Sequence, residues 1–133
     1  MITEDYVSFE TAKLLKEKGF DCACKVWYSE YTSQFFGGKK YTSIEFDDHN
    51  RFDENYKFIC YAPTLQMAMK WLREVYGIYP DIAVEEIDDN TTFFRVDGIY
   101  LKQKKMWDKY NNLFKTYEEA CEEAIKYCLE NLI

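Results

Sequence analysis

The sequence predicts an α+β fold, with a largely antiparallel sheet and three helices in the order α-βββα-βββα. Three amphipathic segments with helix-capping residues alternate with two groups of three short β-rich segments. The β-rich segments follow one another closely, which favours antiparallel pairing with the helices packed on one face. The 133 residues contain no linker rich in Pro, Gly or Ser, so we expect a single α+β domain over residues 1–133.

Capping residues mark the ends of the predicted helices. The first helix runs from Ser8, a good N-cap, to Gly19, a residue type that favours the C′ position. The second lies between Pro63 and Gly77, and the third starts with the capping box Thr116–Glu119. Apolar residues recur at helical spacing in each segment, so each helix is expected to bury one side.

The second helix has a strong amphipathic pattern and two apolar residues outside that pattern. Its buried stripe is expected to contain Leu65, Ala68, Met69, Leu72, Val75 and Tyr76. Met67 and Trp71 are four residues apart and lie away from the stripe, so they are neighbours on one flank of the helix. Two interpretations stay open. Either residues 31–41 cover this flank, or Met67 and Trp71 form an exposed contact for a partner protein or a second copy.

Six segments are rich in β-branched and aromatic residues and are predicted to be strands. They are Cys22–Tyr28, Tyr41–Phe46, Lys57–Tyr61, Asp81–Asp88, Thr92–Val96 and Ile99–Gln103. The first two are expected to pair across a loop that contains Gly37 and Gly38. Asp97 and Gly98 separate the last two and predict a type I′ hairpin turn. The repeated βββα order suggests an approximate internal doubling, although the similar helix starts follow from capping chemistry alone.

All five cysteines are interpreted as reduced thiols, most of them buried: Cys22, Cys24, Cys60, Cys121 and Cys128. Their odd number and the lack of CxxC spacing disfavour a disulfide framework or a metal site. Cys22 and Cys24 would share one face of the first strand, and Cys121 and Cys128 lie on the apolar side of the third helix. The sequence has no signal-peptide pattern and no apolar run near the roughly 20 residues of a membrane span. We therefore expect a cytoplasmic protein without membrane contact.

The net charge of −7 disfavours general nucleic-acid binding, which depends on Lys and Arg neutralising phosphates. Residues 100–115 are an exception, because they carry five lysines and one aspartate, interleaved with aromatic residues as in proteins that bind single strands. The candidate nucleic-acid contacts are Lys102, Lys104, Lys105, Trp107, Lys109 and Tyr110. The other interpretation is a sheet edge that Lys102 and Lys104 protect against strand pairing.

No pattern of residues predicts catalysis. His49 is the single histidine, and it stands in the polar stretch Asp47–Arg51, which is interpreted as a solvated loop. This stretch does not follow the calcium-loop pattern, and no glycine-rich phosphate loop occurs in the sequence. The sequence therefore predicts no catalytic residues, no metal and no cofactor. An enzyme built on Asp47, Asp48 and His49 ranks below the other hypotheses.

Three segments carry a resemblance to known sequences: Tyr6–Phe20 (YVSFETAKLLKEKGF), Ala62–Gly77 (APTLQMAMKWLREVYG) and Thr116–Ala120 (TYEEA). They resemble short uncharacterised proteins that are frequent in prophages and mobile elements of gut anaerobic bacteria. The resemblance implies a mobile-element origin and transfers no activity or catalytic residue. The acidic charge, the 19% of aromatic residues and the lack of a catalytic pattern favour a small non-enzymatic interaction or accessory protein with a protein partner or as a homodimer. The alternative is a single-stranded nucleic-acid binder that uses residues 100–115.

Overall fold

The computed structural model describes residues 2–33, 37–46, 56–102, 104–106 and 113–133. The elements are α1 (Phe9–Glu17), β1 (Val26–Thr32), β2 (Lys40–Phe46), β3 (Tyr56–Tyr61), α2 (Leu65–Trp71), a π-helical turn (Leu72–Tyr76), β4 (Ile78–Asp88), β5 (Thr91–Leu101), β6 (Lys104–Lys105) and α3 (Tyr117–Asn131). The predicted α+β class and the order α-βββα-βββα are confirmed, and the described strands form two antiparallel three-stranded sheets.

The chain forms two compact units. The N-terminal unit is Tyr6–Pro63, and the C-terminal unit is Met1–Asp5 together with Thr64–Ile133. The expectation of a single domain concerns independent folding, which this division does not test, so it stays a prediction.

The sheet of the N-terminal unit has the strand order β2-β1-β3, and both neighbours of β1 run antiparallel to it. β1 and β2 form the predicted hairpin, with the glycine pair between them. β1 starts at Val26 and not at Cys22, and residues 21–25 lie outside the strand. The prediction that Cys22 and Cys24 share a strand face is therefore wrong, and Cys22 is exposed.

Helix α1 has the predicted ends. Ser8 is the N-cap, and its Oγ accepts a hydrogen bond from the backbone N of Thr11 at 3.2 Å. At the other end Gly19 has a φ of 97°, a conformation that glycine adopts without the steric penalty of a Cβ. The helix buries Thr11, Ala12 and Leu15 and packs against β3, so it supplies the apolar layer of this unit.

The sheet of the C-terminal unit has the order β4-β5-β6 and is also antiparallel. β4 and β5 have 11 residues each and form a hairpin that turns at Asp89 and Asn90. Asp88 stabilises the turn, because its Oδ1 accepts a hydrogen bond from the backbone N of Asn90 at 2.9 Å. This bond to the ionised form lowers the pKa of the Asp88 carboxyl.

The predicted hairpin turn at Asp97 and Gly98 is wrong, because β5 continues through both residues. The register shifts between Asp81 and Ile82 of β4, which leaves Asp97 without an opposite residue. This is a β-bulge, a second setting in which a glycine inside a strand is typical. Glycine also suits the packing, since a Cβ at position 98 would lie 2.9 Å from the ring of Tyr100.

Helix α2 is capped by Thr64 and passes into the π turn at Leu72, which changes the side that it buries. The residues buried as predicted are Leu65, Ala68, Met69 and Leu72. Val75 is exposed, contrary to the prediction, because the wider π turn advances each residue less about the helix axis. Hydrogen bonds in a π turn join residues five apart. That spacing brings the Trp71 ring to 5.2 Å from the Tyr76 ring, centroid to centroid.

Helix α3 begins at the predicted capping box, where the Oγ1 of Thr116 accepts a hydrogen bond from the backbone N of Glu119 at 3.1 Å. Its buried residues are Ala120, Cys121, Ala124, Ile125, Cys128 and Leu129. Leu129 is the last of these buried residues, and the helix ends at Asn131. α3 packs against β4 and β5, so it supplies the apolar layer of the C-terminal unit.

Candidate functional site

The two residues of the predicted helix-flank contact lie in different environments. Met67 has 47% of its surface exposed, whereas Trp71 is 8% exposed and packs against Tyr76 across the π turn. The two side chains therefore do not form a joint exposed surface. A partner or homodimer contact centred on Trp71 stays a prediction.

The predicted basic contact lies partly in the described residues. Lys102, Lys104 and Lys105 are exposed, with Lys102 in the turn after β5 and the other two forming β6. The residues of this prediction outside the described part are Trp107, Lys109 and Tyr110. β6 pairs with the end of β5 and lies at one side of the sheet, an arrangement in which lysines also oppose pairing with a further strand.

A cavity of about 410 Å³ lies in the N-terminal unit between α1 and β3. Phe58 and Tyr61 contribute aromatic walls, and the buried thiol of Cys60 lines it as well. Burial raises the pKa of the Cys60 thiol, and the positive charges of Lys16 and Lys13 oppose this shift. Burial of this kind disfavours the thiolate, the form in which cysteine is nucleophilic.

The edges of the two sheets differ in how they are protected against pairing with another strand. At β3, the Nζ of Lys16 donates a hydrogen bond to the backbone O of Ile59 at 2.7 Å. Along the far side of β5, Phe94 and Phe114 exchange both main-chain hydrogen bonds, and β6 adds two lysines. β4 is different: it contains no lysine, and no described strand pairs with its outer side.

Phe94 determines which backbone groups of β4 point outward. Its N and O are bonded to Phe114 at 2.8 and 2.7 Å, so both groups point away from β4. Opposite residues in an antiparallel ladder alternate between pairs that exchange both hydrogen bonds and pairs that exchange none. Val84 lies opposite Phe94, so this pair exchanges none. The N–H and C=O of Val84 therefore point to the outer side of β4.

The same alternation applies two residues to either side. Ile82 and Glu86 are in phase with Val84, so their N–H and C=O groups also point outward. Pro80 is also in phase with these residues. Its position fits this assignment, because proline has no N–H and is tolerated where a strand faces outward. We call the outward backbone groups of Ile82, Val84 and Glu86 the β4 edge.

Apolar and acidic side chains flank the β4 edge. Val84 is 60% exposed and Ile87 is 59% exposed, which is high for branched apolar residues of a strand. β4 carries four acidic residues and no basic residue. These acidic residues are Asp81, Glu85, Glu86 and Asp88.

One of these acids is neutralised within the hairpin. The Nε of Arg95 lies 3.3 Å from the Oε2 of Glu85, and its Nη2 lies 3.2 Å from the Oδ1 of Asp97. Arg95 and Glu85 are on the face of the hairpin opposite to that of Val84, since side chains alternate along a strand. The acids at positions 81, 86 and 88 lie outside this ion-pair group and make the outer side of β4 negative.

The comparisons with known proteins add no family or activity, since no protein-family model, curated protein or solved structure matches the chain. Within the described ranges, no group of three or more His, Cys, Asp or Glu residues is arranged to hold a metal ion. Asp47, Asp48 and His49, the residues of the enzyme hypothesis, lie outside those ranges. None of the described helices combines the length and the apolar character that crossing a membrane requires.

The β4 edge was not predicted from the sequence. The sequence feature that could have indicated this edge is the distribution of lysines, because β6 carries two lysines and β4 carries none. The outward register could not be read from the sequence, since it depends on the bridge between Phe94 and Phe114, which are twenty residues apart in the chain.

Proposed function

We propose that this chain is a small, non-enzymatic, cytoplasmic interaction protein, an accessory protein of a mobile element, whose β4 edge binds an extended basic segment of a partner protein. The observation that carries the proposal is the row of outward backbone groups at Ile82, Val84 and Glu86, on a strand without edge protection by lysine.

Extended segments bind such edges by adding a strand to the sheet. Main-chain hydrogen bonds supply the affinity in this mode, and side chains on alternate residues supply the specificity. Each bond contributes about 0.5–1.5 kcal/mol net, and the β4 edge offers an N–H and a C=O at three residues. Val84 and Ile87 give the added strand apolar side chains to contact.

The negative charge of β4 favours a basic partner protein over a second copy of this chain. Antiparallel pairing of two β4 strands brings two strands with four acids each together, and like charges on facing strands are destabilising. A strand that alternates lysine with apolar residues projects all its lysines to one face, where they can lie near Glu86. The β4 edge therefore fits a basic partner better than it fits itself.

A proline scan with a matched control tests this proposal. The probe is a peptide of alternating valine and lysine, and its affinity is measured by isothermal titration calorimetry. Val84→Pro removes an outward N–H of β4 and is expected to weaken binding at least tenfold, a change of about 1.4 kcal/mol. Thr92→Pro is the control, because Thr92 lies opposite Glu86 and its N–H points to the other side of the hairpin.

Equal loss of affinity in the two proline variants would count against the proposal, because the loss would then come from damage to the hairpin. Circular dichroism of both variants separates this outcome from unfolding. A peptide of alternating valine and glutamate should bind at least tenfold more weakly than the lysine peptide. If it binds equally well, the acidic strand plays no part in selecting the partner.

The second candidate function is single-strand binding through the basic segment, favoured by the exposure of Lys102, Lys104 and Lys105. Binding of this kind weakens steeply with added salt, because counterions are released from the phosphates. Replacing Lys104 and Lys105 by Glu should then abolish the binding of an oligonucleotide at low salt. If the wild-type protein binds no oligonucleotide at low salt, this candidate is eliminated.

A further inference from the structure

The cavity between α1 and β3 has small residues on its helix wall. Ala12 and Lys16 lie one turn apart on α1, and Gly19 follows just beyond the end of the helix. All three line the cavity. Because Ala12 carries only a methyl group and Gly19 only a hydrogen, about 410 Å³ stays open beside β3. Cavities of about 300–1,000 Å³ with mainly apolar walls are typical sites for small molecules.

The opposite wall is β3, which has a β-bulge beside the cavity. The register shift leaves Ile59 without an opposite residue on β1. Phe58, Cys60 and Tyr61 lie around this bulge and line the cavity. Cys60 is buried, whereas Phe58 is 49% exposed. This wall is therefore largely apolar, and the cavity opens to solvent beside Phe58.

Lys16 places a positive charge at the mouth of this apolar cavity. Its Nζ donates a hydrogen bond to the backbone O of Ile59 at 2.7 Å and lies 5.9 Å from the centre of the Phe58 ring. These two contacts hold the ammonium group beside the cavity. An ammonium has three N–H donors, so two remain for a ligand. Among the described side chains, no carboxylate forms an ion pair with Lys16.

The charged groups around the cavity favour an anion on its Lys16 side. Burial raises the pKa of the Cys60 thiol, whereas the positive charges of Lys16 and Lys13 lower it, so the charges of both lysines act on the cavity wall. Asp21 is an exposed acidic residue that also lines the cavity. A negative head group therefore fits beside Lys16 and away from Asp21.

We propose that this cavity binds a small carboxylic acid with an apolar body. The carboxylate pairs with the ammonium group of Lys16, because charge-assisted hydrogen bonds are the stronger ones. The apolar body lies between α1 and the β3 wall at Phe58 and Tyr61, since its burial there removes apolar surface from water. This site lies in the N-terminal unit and does not depend on the proposed role of the β4 edge.

Two acids and their neutral alcohols test the head group at constant ionic strength. Octanoate has an apolar chain and phenylbutyrate an aromatic ring, and the controls are octanol and phenylbutanol. At least one acid is expected to shift the NMR amide signals of Gly19 and Cys60 saturably, and its alcohol should bind at least tenfold more weakly, a difference of about 1.4 kcal/mol. Equal binding of acid and alcohol overturns the proposal, and so does the lack of a saturable shift with either acid.

A pair of lysine variants tests the proposed ion pair. Lys16→Met should lower the affinity for the acid at least tenfold, to that for the alcohol. Lys57→Met is the matched control, because Lys57 is an exposed residue of β3 next to Phe58 and is not part of the cavity wall. Circular dichroism checks that both variants fold. If Lys16→Met still prefers the acid tenfold, or if Lys57→Met loses affinity equally, the proposal is overturned.

Two further variants have opposite expected effects on the binding of the acid. Asp21→Asn removes a charge of the ligand's own sign, so it should bind the acid at least as tightly as the wild type does. Phe58→Ala removes part of the apolar wall and should weaken acid and alcohol alike, by about threefold or more. Weaker binding of the acid by Asp21→Asn would contradict the placement of the carboxylate, and unchanged binding by Phe58→Ala would contradict the placement of the apolar body.

Discussion

The sheet of the N-terminal unit offers a face to solvent, whereas the sheet of the C-terminal unit offers an edge. On the first sheet side chains line a cavity of this face, namely the tyrosines at positions 31, 41 and 56 beside the buried Glu45. On the second it belongs to the backbone of β4, with acidic side chains beside it. A face of this kind selects a compact ligand by its chemical groups, and an edge selects an extended chain. The two units therefore present different surfaces although both are built from three strands and helices.

The two sheets also differ in topology despite the same order of elements along the chain. β1, the first strand of its group, is central in the first sheet, whereas β5, the second of its group, is central in the second sheet. Element order alone therefore does not fix which strand lies in the middle. The approximate internal doubling stays a prediction, and strand order gives it no support.

The largest expected effect is the loss of stability when a buried side chain of the helix in each unit is shortened. Leu15 of α1 and Ile125 of α3 are fully buried, so Leu15→Ala and Ile125→Ala should each lower the free energy of unfolding by about 2–5 kcal/mol. Urea unfolding followed by circular dichroism and by tryptophan fluorescence measures both changes. Because one domain is expected, each variant should unfold in a single transition that is the same for both probes. Two separate transitions would contradict the single-domain prediction.

A smaller effect is expected at the bulge of β5, the central strand of the C-terminal sheet. A Cβ at Gly98 would lie 2.9 Å from the Tyr100 ring, so Gly98→Val should lower the free energy of unfolding by about 1–3 kcal/mol. The double variant with Tyr100→Leu separates packing from backbone effects. If the loss is the same with and without the ring, the contact with Tyr100 is not its cause.

The helix ends and most of the buried stripes could be predicted from the sequence, because capping and helical spacing are local. Ser8, Gly19 and Thr116 all act as their residue types suggest. Asp97 and Gly98 were misassigned because the same pair suits a turn and a bulge, and only pairing with β4 decides between them. The pocket at Glu45 was not predicted, since it needs the register of three strands to bring tyrosines and serines together.

Cysteine chemistry gives the next contrast between the units. Burial raises the pKa of the Cys121 thiol to about 11 and that of the Cys128 thiol to about 12, while Cys22 in the N-terminal unit is exposed. An unfolded thiol has a pKa of about 8.5. The unfolded chain therefore loses these protons at lower pH than the folded chain. The free energy of unfolding is therefore highest below about pH 8.5, and it falls as the pH rises toward the pKa values of the folded thiols.

Urea unfolding at a series of pH values from about 8 to 10 measures this decrease in the free energy of unfolding. The series spans the unfolded thiol pKa of about 8.5. Cys128→Ala should flatten the fall, and Cys22→Ser should leave it unchanged as the control. Iodoacetamide should modify Cys22 well before Cys121 and Cys128. Equal rates at all three thiols would contradict the burial of the two α3 cysteines.

The contrast between face and edge is tested most directly by amide hydrogen exchange, followed by NMR, with the valine–lysine peptide bound. Slower exchange is expected at Ile82, Val84 and Glu86, whose N–H groups point outward. Little change is expected at Ala83 and Glu85, which are already bonded to β5. Protection that appears along β2 instead, or bound peptide with no protection at those three residues, would contradict the assignment of the β4 edge.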